Sequence, residues 1–103
     1  MTAEREAQFR KLVEQFPGSP MGHFSLGKVL LEAGRYPEAV QSLEQATRLD
    51  PTYAAALLAL GEALAGAGRR EEARTTWERA RARALEQHHP GLAEEIDGLL
   101  ADL

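Results

Sequence analysis

Three histidines, His23, His88 and His89, are the side chains of this 103-residue chain with the clearest claim to proton transfer or metal binding. His88 and His89 are adjacent, so on any regular element they point apart. Alone they cannot form the i, i+4 pair that a helical zinc site uses. They read as polar loop residues ahead of Pro90. The chain has no cysteine, which removes zinc–thiolate sites, iron–sulfur clusters and thiol catalysis. Gly66-Ala67-Gly68 spells Gly-x-Gly, but no strand pattern precedes it, and the dinucleotide reading fails. A Gly-rich phosphate loop, a Gly-x-Ser-x-Gly elbow and a His-Glu-x-x-His pair are all missing. The acid pairs Glu71-Glu72 and Glu94-Glu95 are expected at helix starts, where a negative charge suits the macrodipole. No catalytic residue, metal ligand or cofactor is expected, and the chain reads as a non-enzyme.

Charge narrows the partners. A net charge of −4 argues against nucleic acid, whose phosphates draw on a surplus of Lys and Arg. The charge is uneven: residues 69–83 hold six Arg and three Glu, while residues 90–103 hold four acids and no base. These two segments are expected to face each other or solvent. No apolar run approaches the ~20 residues that span a bilayer, so no membrane insertion is expected. Met1-Thr2-Ala3-Glu4-Arg5-Glu6 carries acids where a signal peptide has a basic start. The expected location is the cytoplasm.

Positioning elements emerge from a self-overlay. Shifting residues 20–53 by 34 places Leu26-Gly27 on Leu60-Gly61, Leu30 on Leu64, Gly34 on Gly68, Ala39 on Ala73, Leu43 on Trp77 and Ala46 on Ala80. The same shift carries Phe9 onto Leu43 and Pro17 onto Pro51, so the N-terminal segment matches the second half of a unit. Every segment between turn signals has helical periodicity. Phe9, Leu12, Val13 and Phe16 mark a first helix, and Leu26, Val29, Leu30 and Ala33 a second that starts at an N-cap Ser19 and Pro20. Ala39, Leu43 and Ala46 mark a third, Leu57, Leu60 and Leu64 a fourth over about 53–66. Ala73, Trp77, Ala80 and Ala84 mark a fifth running to about Gln87, and Leu92, Ile96, Leu99, Leu100 and Leu103 a sixth. Gly34 and Gly68 are expected helix stops. Gly27 and Gly61 cost about 1 kcal/mol each inside a helix. Their recurrence in one slot of both units points to close approach of a partner helix.

The pattern Leu26-Gly27 … Gly34-Arg35-Tyr36 … Ala39 … Leu43 … Ala46 … Leu49-Asp50-Pro51 resembles the tetratricopeptide repeat. The resemblance implies an all-α, right-handed superhelical stack of antiparallel helix pairs, with about six helices. It divides a single domain 1–103 into a half repeat 1–19, repeats 20–53 and 54–87, and a capping helix 88–103. His23 and Leu57 stand where the family often has Trp, and Leu30 and Leu64 where it has Tyr. His23 is expected to pack at the edge of the helix interface. The second unit ends in Ala84-Leu85 rather than Asp-Pro, so the fifth helix should run long.

Family members resemble a curved stack in which the first helix of each unit lines a concave groove. Carried onto this chain, the groove residues are Met21, Phe24, Ser25, Lys28, Leu31 and Glu32 from the first unit. The second supplies Ala55, Leu58, Ala59 and Glu62, with Ala65 and Gly66 beyond them. Some members hold a peptide carboxylate there with Lys, Arg and Asn; this chain offers Lys28 alone and contains no Asn. The implied function is a protein-interaction module or adaptor that takes an apolar peptide or protein segment. The alternative is a self-associating module, a homodimer using the same face, or one whose sixth helix fills the groove.

Overall fold

A computed structural model describes residues 2–103, with side chains from residue 3 onward. Among the described residues there are six α-helices and no strand: α1 Thr2–Gln15, α2 Pro20–Glu32, α3 Tyr36–Leu49, α4 Ala54–Gly66, α5 Arg70–Glu86 and α6 Pro90–Asp102. They form the expected right-handed stack of antiparallel pairs. Helices α2 and α3 make one pair and α4 and α5 the next, while α1 packs on α2, α3 on α4 and α5 on α6. The first helices of the pairs, α2 and α4, thus form an inner row, which α6 extends by taking toward α5 the place α4 takes toward α3.

Local chemistry sets the boundaries. Ser19 Oγ accepts from the Met21 N–H at 3.3 Å, and Pro20 opens α2. At the far end Arg35 N–H donates to the Leu30 carbonyl at 2.9 Å and Gly34 N–H to that of Leu31 at 3.0 Å. This Schellman stop needs a left-handed residue, and Gly34 supplies it at φ 73°. Gly68 repeats the arrangement after α4 at φ 81°. After α5 the same two bonds form, His89 N–H to Ala84 and His88 N–H to Leu85, but the left-handed residue is His88 at φ 59°. A residue with a Cβ is strained there by about 1 kcal/mol. His88→Gly is therefore expected to raise the thermal midpoint by about 4–8 °C, measured by circular dichroism; no change would mean that the turn is held by something other than this motif.

Helix α5 has 17 residues against 14 for α3, as the missing Asp-Pro implied. Glu71 and Glu72 lie in its first turn. Glu94 and Glu95 do not lie at a helix start: α6 begins at Pro90, which puts them in its second turn, away from the dipole's positive end.

Two apolar clusters hold the stack. Leu26, Leu30, Val40 and Leu43 meet Leu60, Ala63 and Leu64 in the first; Leu57, Trp77, Ala80 and Ile96 form the second. Gly27 and Gly61 do what their recurrence suggested. A Cβ on Gly27 would come within 2.5 Å of Leu43 Cγ, and one on Gly61 would overlap the Trp77 indole. The Trp77 ring is fixed in turn by Nε1–H donating to the Leu58 carbonyl at 3.0 Å. Ile96 is fully buried in this cluster, which anchors α6 by about 1.5–3 kcal/mol.

Of the basic segment, Arg81 reaches Asp97 of α6 at 2.6 Å, whereas Arg69, Arg74 and Arg83 pair within three residues along the chain. The two charged segments therefore meet at one point. A second network ties α1 to the third helix: Glu6 accepts from Arg10 at 2.9 Å and from Arg35 at 2.6 Å. Those two guanidiniums, Arg10 first, hold the Glu6 carboxyl below its ordinary range.

Candidate binding face

Helices α2 and α4 each leave part of their surface accessible, and several of the expected groove residues are exposed or half-buried there. Met21 is 59% exposed. Phe24, Ser25, Lys28 and Leu31 are half-buried and Glu32 is exposed. The Phe24 ring lies 4.9 Å from that of Tyr53, tilted by 42°. The Tyr53 hydroxyl in turn donates to Met21 Sδ at 3.7 Å. Met21, Phe24 and Tyr53 thus form one apolar–aromatic corner at the N-terminal ends of α2 and α4, with a hydroxyl at its edge. Ala55 is exposed beside it, and Glu62 is half-buried further along α4.

Four residues behave differently. Ala59 is only 2% exposed and belongs to the first cluster; the rotation of α4 turns it toward Leu26 and Leu30 instead of the open face. Gly66 is exposed but leaves no room for a side chain, because the Tyr36 ring occupies the space a Cβ would take. Leu58 and Ala65 are half-buried and pack against the second cluster, so they form the floor rather than a free wall. His23 sits at an interface edge as expected, its Nε2 donating to the Pro17 carbonyl at 3.1 Å. His88 and His89 are exposed. Among the described residues, no group of three His, Asp or Glu is placed to hold a metal ion. No helix of the described residues is long and apolar enough to cross a membrane.

A model of the tetratricopeptide repeat matches residues 30–103, well over half of the chain. The chain belongs to the tetratricopeptide-repeat family. Among solved structures it is similar to the TPR2B domain of yeast Sti1, solved in complex with pHsp70. That likeness has 22% identity and a TM-score of 0.88 over 93% of this chain and 77% of the other, and it shows the fold. A protein of Bordetella parapertussis solved in solution is 29% identical, with a TM-score of 0.81 over 94% of this chain and 84% of the other. No curated protein sequence matches. The repeat fold is that of protein–protein interaction modules.

Two parts of this side of the tetratricopeptide-repeat stack lie outside the predicted groove lining. Tyr53 falls at the edge of the predicted fourth helix, and an aromatic two residues after Asp50-Pro51 is its signal in the sequence. The other is α6. Both α4 and α6 have 13 residues, and a shift of 36 superposes buried Leu60 on buried Ile96. That shift puts Gly91, Glu94, Gly98, Ala101 and Asp102 in the places of Ala55, Leu58, Glu62, Ala65 and Gly66, and all five are exposed. A Cβ on Gly91 or Gly98 would meet nothing within 4 Å.

The charge on the face is not neutralised. Burial pushes the Glu62 carboxyl up, Lys28 opposes this, and Glu95 adds to it from α6. A carboxyl raised in the folded state stabilises the fold below its unfolded value, and that contribution is lost as pH rises through the folded one. Glu62→Gln is therefore expected to raise the thermal midpoint at neutral pH, with the gain shrinking on acidification through the raised folded value and gone below the ordinary value of 4.5. A gain that grew toward acid would contradict this sign. On the opposite side of the molecule, Leu60 and Leu64 floor a hollow of about 540 Å³ between α3 and α5, rimmed by Glu44, Arg48, Glu71 and Arg79. Its rim charges are mixed.

Proposed function

We propose that this chain is a non-enzymatic interaction module, and that the inner face of α2, α4 and α6 receives a segment of another protein. The observation that carries this reading is the Met21–Phe24–Tyr53 corner, an accessible aromatic and apolar surface on the face that the fold leaves open. The yeast Sti1 domain of the same fold, solved with pHsp70, supports a peptide or protein as the class of ligand. Lys28 is the single base of the inner helices and Asn is absent, so recognition of a terminal carboxylate is not part of the proposal. The division into repeats 20–53 and 54–87, with a half unit 1–19 before and a cap 88–103 after, and a cytoplasmic setting without cofactor, belong to the same reading.

The test uses positions whose side chains are exposed, so that the fold is spared. Met21→Asn with Ala55→Gln should remove the protein captured from a lysate of the source cell, while Leu85→Gln, exposed on α5, should leave capture intact. Equal capture by both variants would place the binding site elsewhere. A second reading, self-association, has its own observation: Leu12 of α1 and Phe16 just past its end are 39% and 60% exposed. Light scattering at micromolar concentration decides it, since a strict monomer excludes it.

A further inference from the structure

Charge on this molecule is sorted by layer. The inner helices α2, α4 and α6 together hold one base, Lys28, and six acids: Glu32, Glu62, Glu94, Glu95, Asp97 and Asp102. All ten arginines lie outside these three helices, on α1, α3, α5 and the turns that lead into them. The net charge of −4 is therefore carried by the inner row, and the remainder of the chain is close to neutral. Asp97 is turned to α5, where Arg81 holds it at 2.6 Å, and Glu32 meets Arg5 at 3.7 Å in an exposed pair. Glu62, Glu94, Glu95 and Asp102 form no ion pair among the described residues. Glu94 and Asp102 are exposed on α6, and Glu95 adds its charge next to Glu62.

The face thus has two ends of different chemistry. Met21, Phe24 and Tyr53 offer apolar and aromatic surface at one. At the other, α6 offers carboxylates separated by Gly91, Gly98 and Ala101, where nothing stands between the helix backbone and an approaching chain. Resting on the binding reading above, we propose that the segment received here is cationic and amphipathic, setting apolar side chains on Met21 and Phe24 and Lys or Arg side chains against Glu62, Glu94 and Asp102. Small residues on α6 give long basic side chains room to lie along the helix. The carboxylates supply orientation and rejection of acidic segments; the apolar corner supplies most of the contact.

Fluorescence anisotropy with two labelled, end-capped peptides of about 14 residues tests the proposal. One alternates Leu and Lys with helical spacing, and the other carries Glu for every Lys. The Lys peptide should bind and the Glu peptide should bind at least about tenfold more weakly. Glu62→Gln with Glu94→Gln and Asp102→Asn should weaken the Lys peptide about tenfold, and so should a rise in salt that screens these charges. If both peptides bind equally and both are lost in Met21→Asn with Ala55→Gln, the face is the site and cationic selection is overturned. If the Lys peptide binds regardless of both sets of substitutions, its attachment is elsewhere and the binding reading falls as well. Failure of the Lys peptide to bind at all also overturns the proposal.

Discussion

Trp77→Ala should cost the fold about 3–5 kcal/mol, the largest effect expected of any single truncation here. Trp77 is 3% exposed and is the centre of the second cluster, between Leu57 of α4 and Ile96 of α6. Its indole also lies over Gly61 and donates to the Leu58 carbonyl at 3.0 Å. Truncation removes an aromatic ring from a place that α4 and α6 cannot collapse into without leaving α5. A domain of this size has about 5–15 kcal/mol of stability in all, so the variant should sit near the edge of folding at physiological temperature. Denaturant unfolding followed by circular dichroism measures the loss. A cost below about 1 kcal/mol would show that the second cluster does not depend on this ring.

Gly61→Ala should also destabilise, by about 1–3 kcal/mol, although alanine is the better helix former. The added Cβ overlaps the Trp77 ring, and the ring cannot withdraw without losing its bond to Leu58. The sign is expected to reverse in the Trp77→Ala background, where the methyl meets empty space and the helix gains about 1 kcal/mol. A double-mutant cycle reads this as a coupling of about 2–4 kcal/mol. Additive effects would mean that Gly61 is retained for some reason other than close approach of α5. Gly27 and Leu43 repeat the contact one unit earlier with an aliphatic partner. That variant of the cycle should give a smaller coupling, because a Leu side chain shifts rotamer more easily than an indole.

Much of this architecture was legible in the sequence, for identifiable reasons. Helix ends were readable because they depend on local chemistry: Ser19 and Pro20 start α2, and Gly34 and Gly68 stop α2 and α4. The role of Gly27 and Gly61 was readable because a costly residue recurred at a fixed spacing. The proposed binding face was harder. Whether Ala59 looks outward or toward Leu26 depends on how α4 is rotated against the preceding pair, and adjacent residues differ by about 100° of rotation. Beside Gly66 stands Tyr36, a residue 30 positions earlier, in a contact that no local rule encodes. The α6 face was hidden because the longer α5 broke the 34-residue register, so Glu94 and Asp102 never aligned with Leu58 and Gly66.

The proposed face differs from the expected groove in a way that bears on the ligand proposed for it. Without Ala59, and with Leu58 and Ala65 reduced to floor, the apolar surface contracts to the corner of Met21, Phe24 and Tyr53, with Leu31 beyond. With α6 included, the acidic surface expands. A mostly apolar groove thus becomes a face that is apolar at one end and anionic at the other.

The central claim is that partners dock on the inner row rather than on the outer helices, and site-specific photo-crosslinking tests it most directly. A photoreactive side chain placed at Ala55 or at Glu94, both exposed on the inner row, should capture the same partner in the source cell. The same group at Arg79 or Leu85, exposed on α5, should capture none of it. Capture from Arg79 and Leu85 with none from Ala55 and Glu94 would contradict the account and move the site to the outer surface.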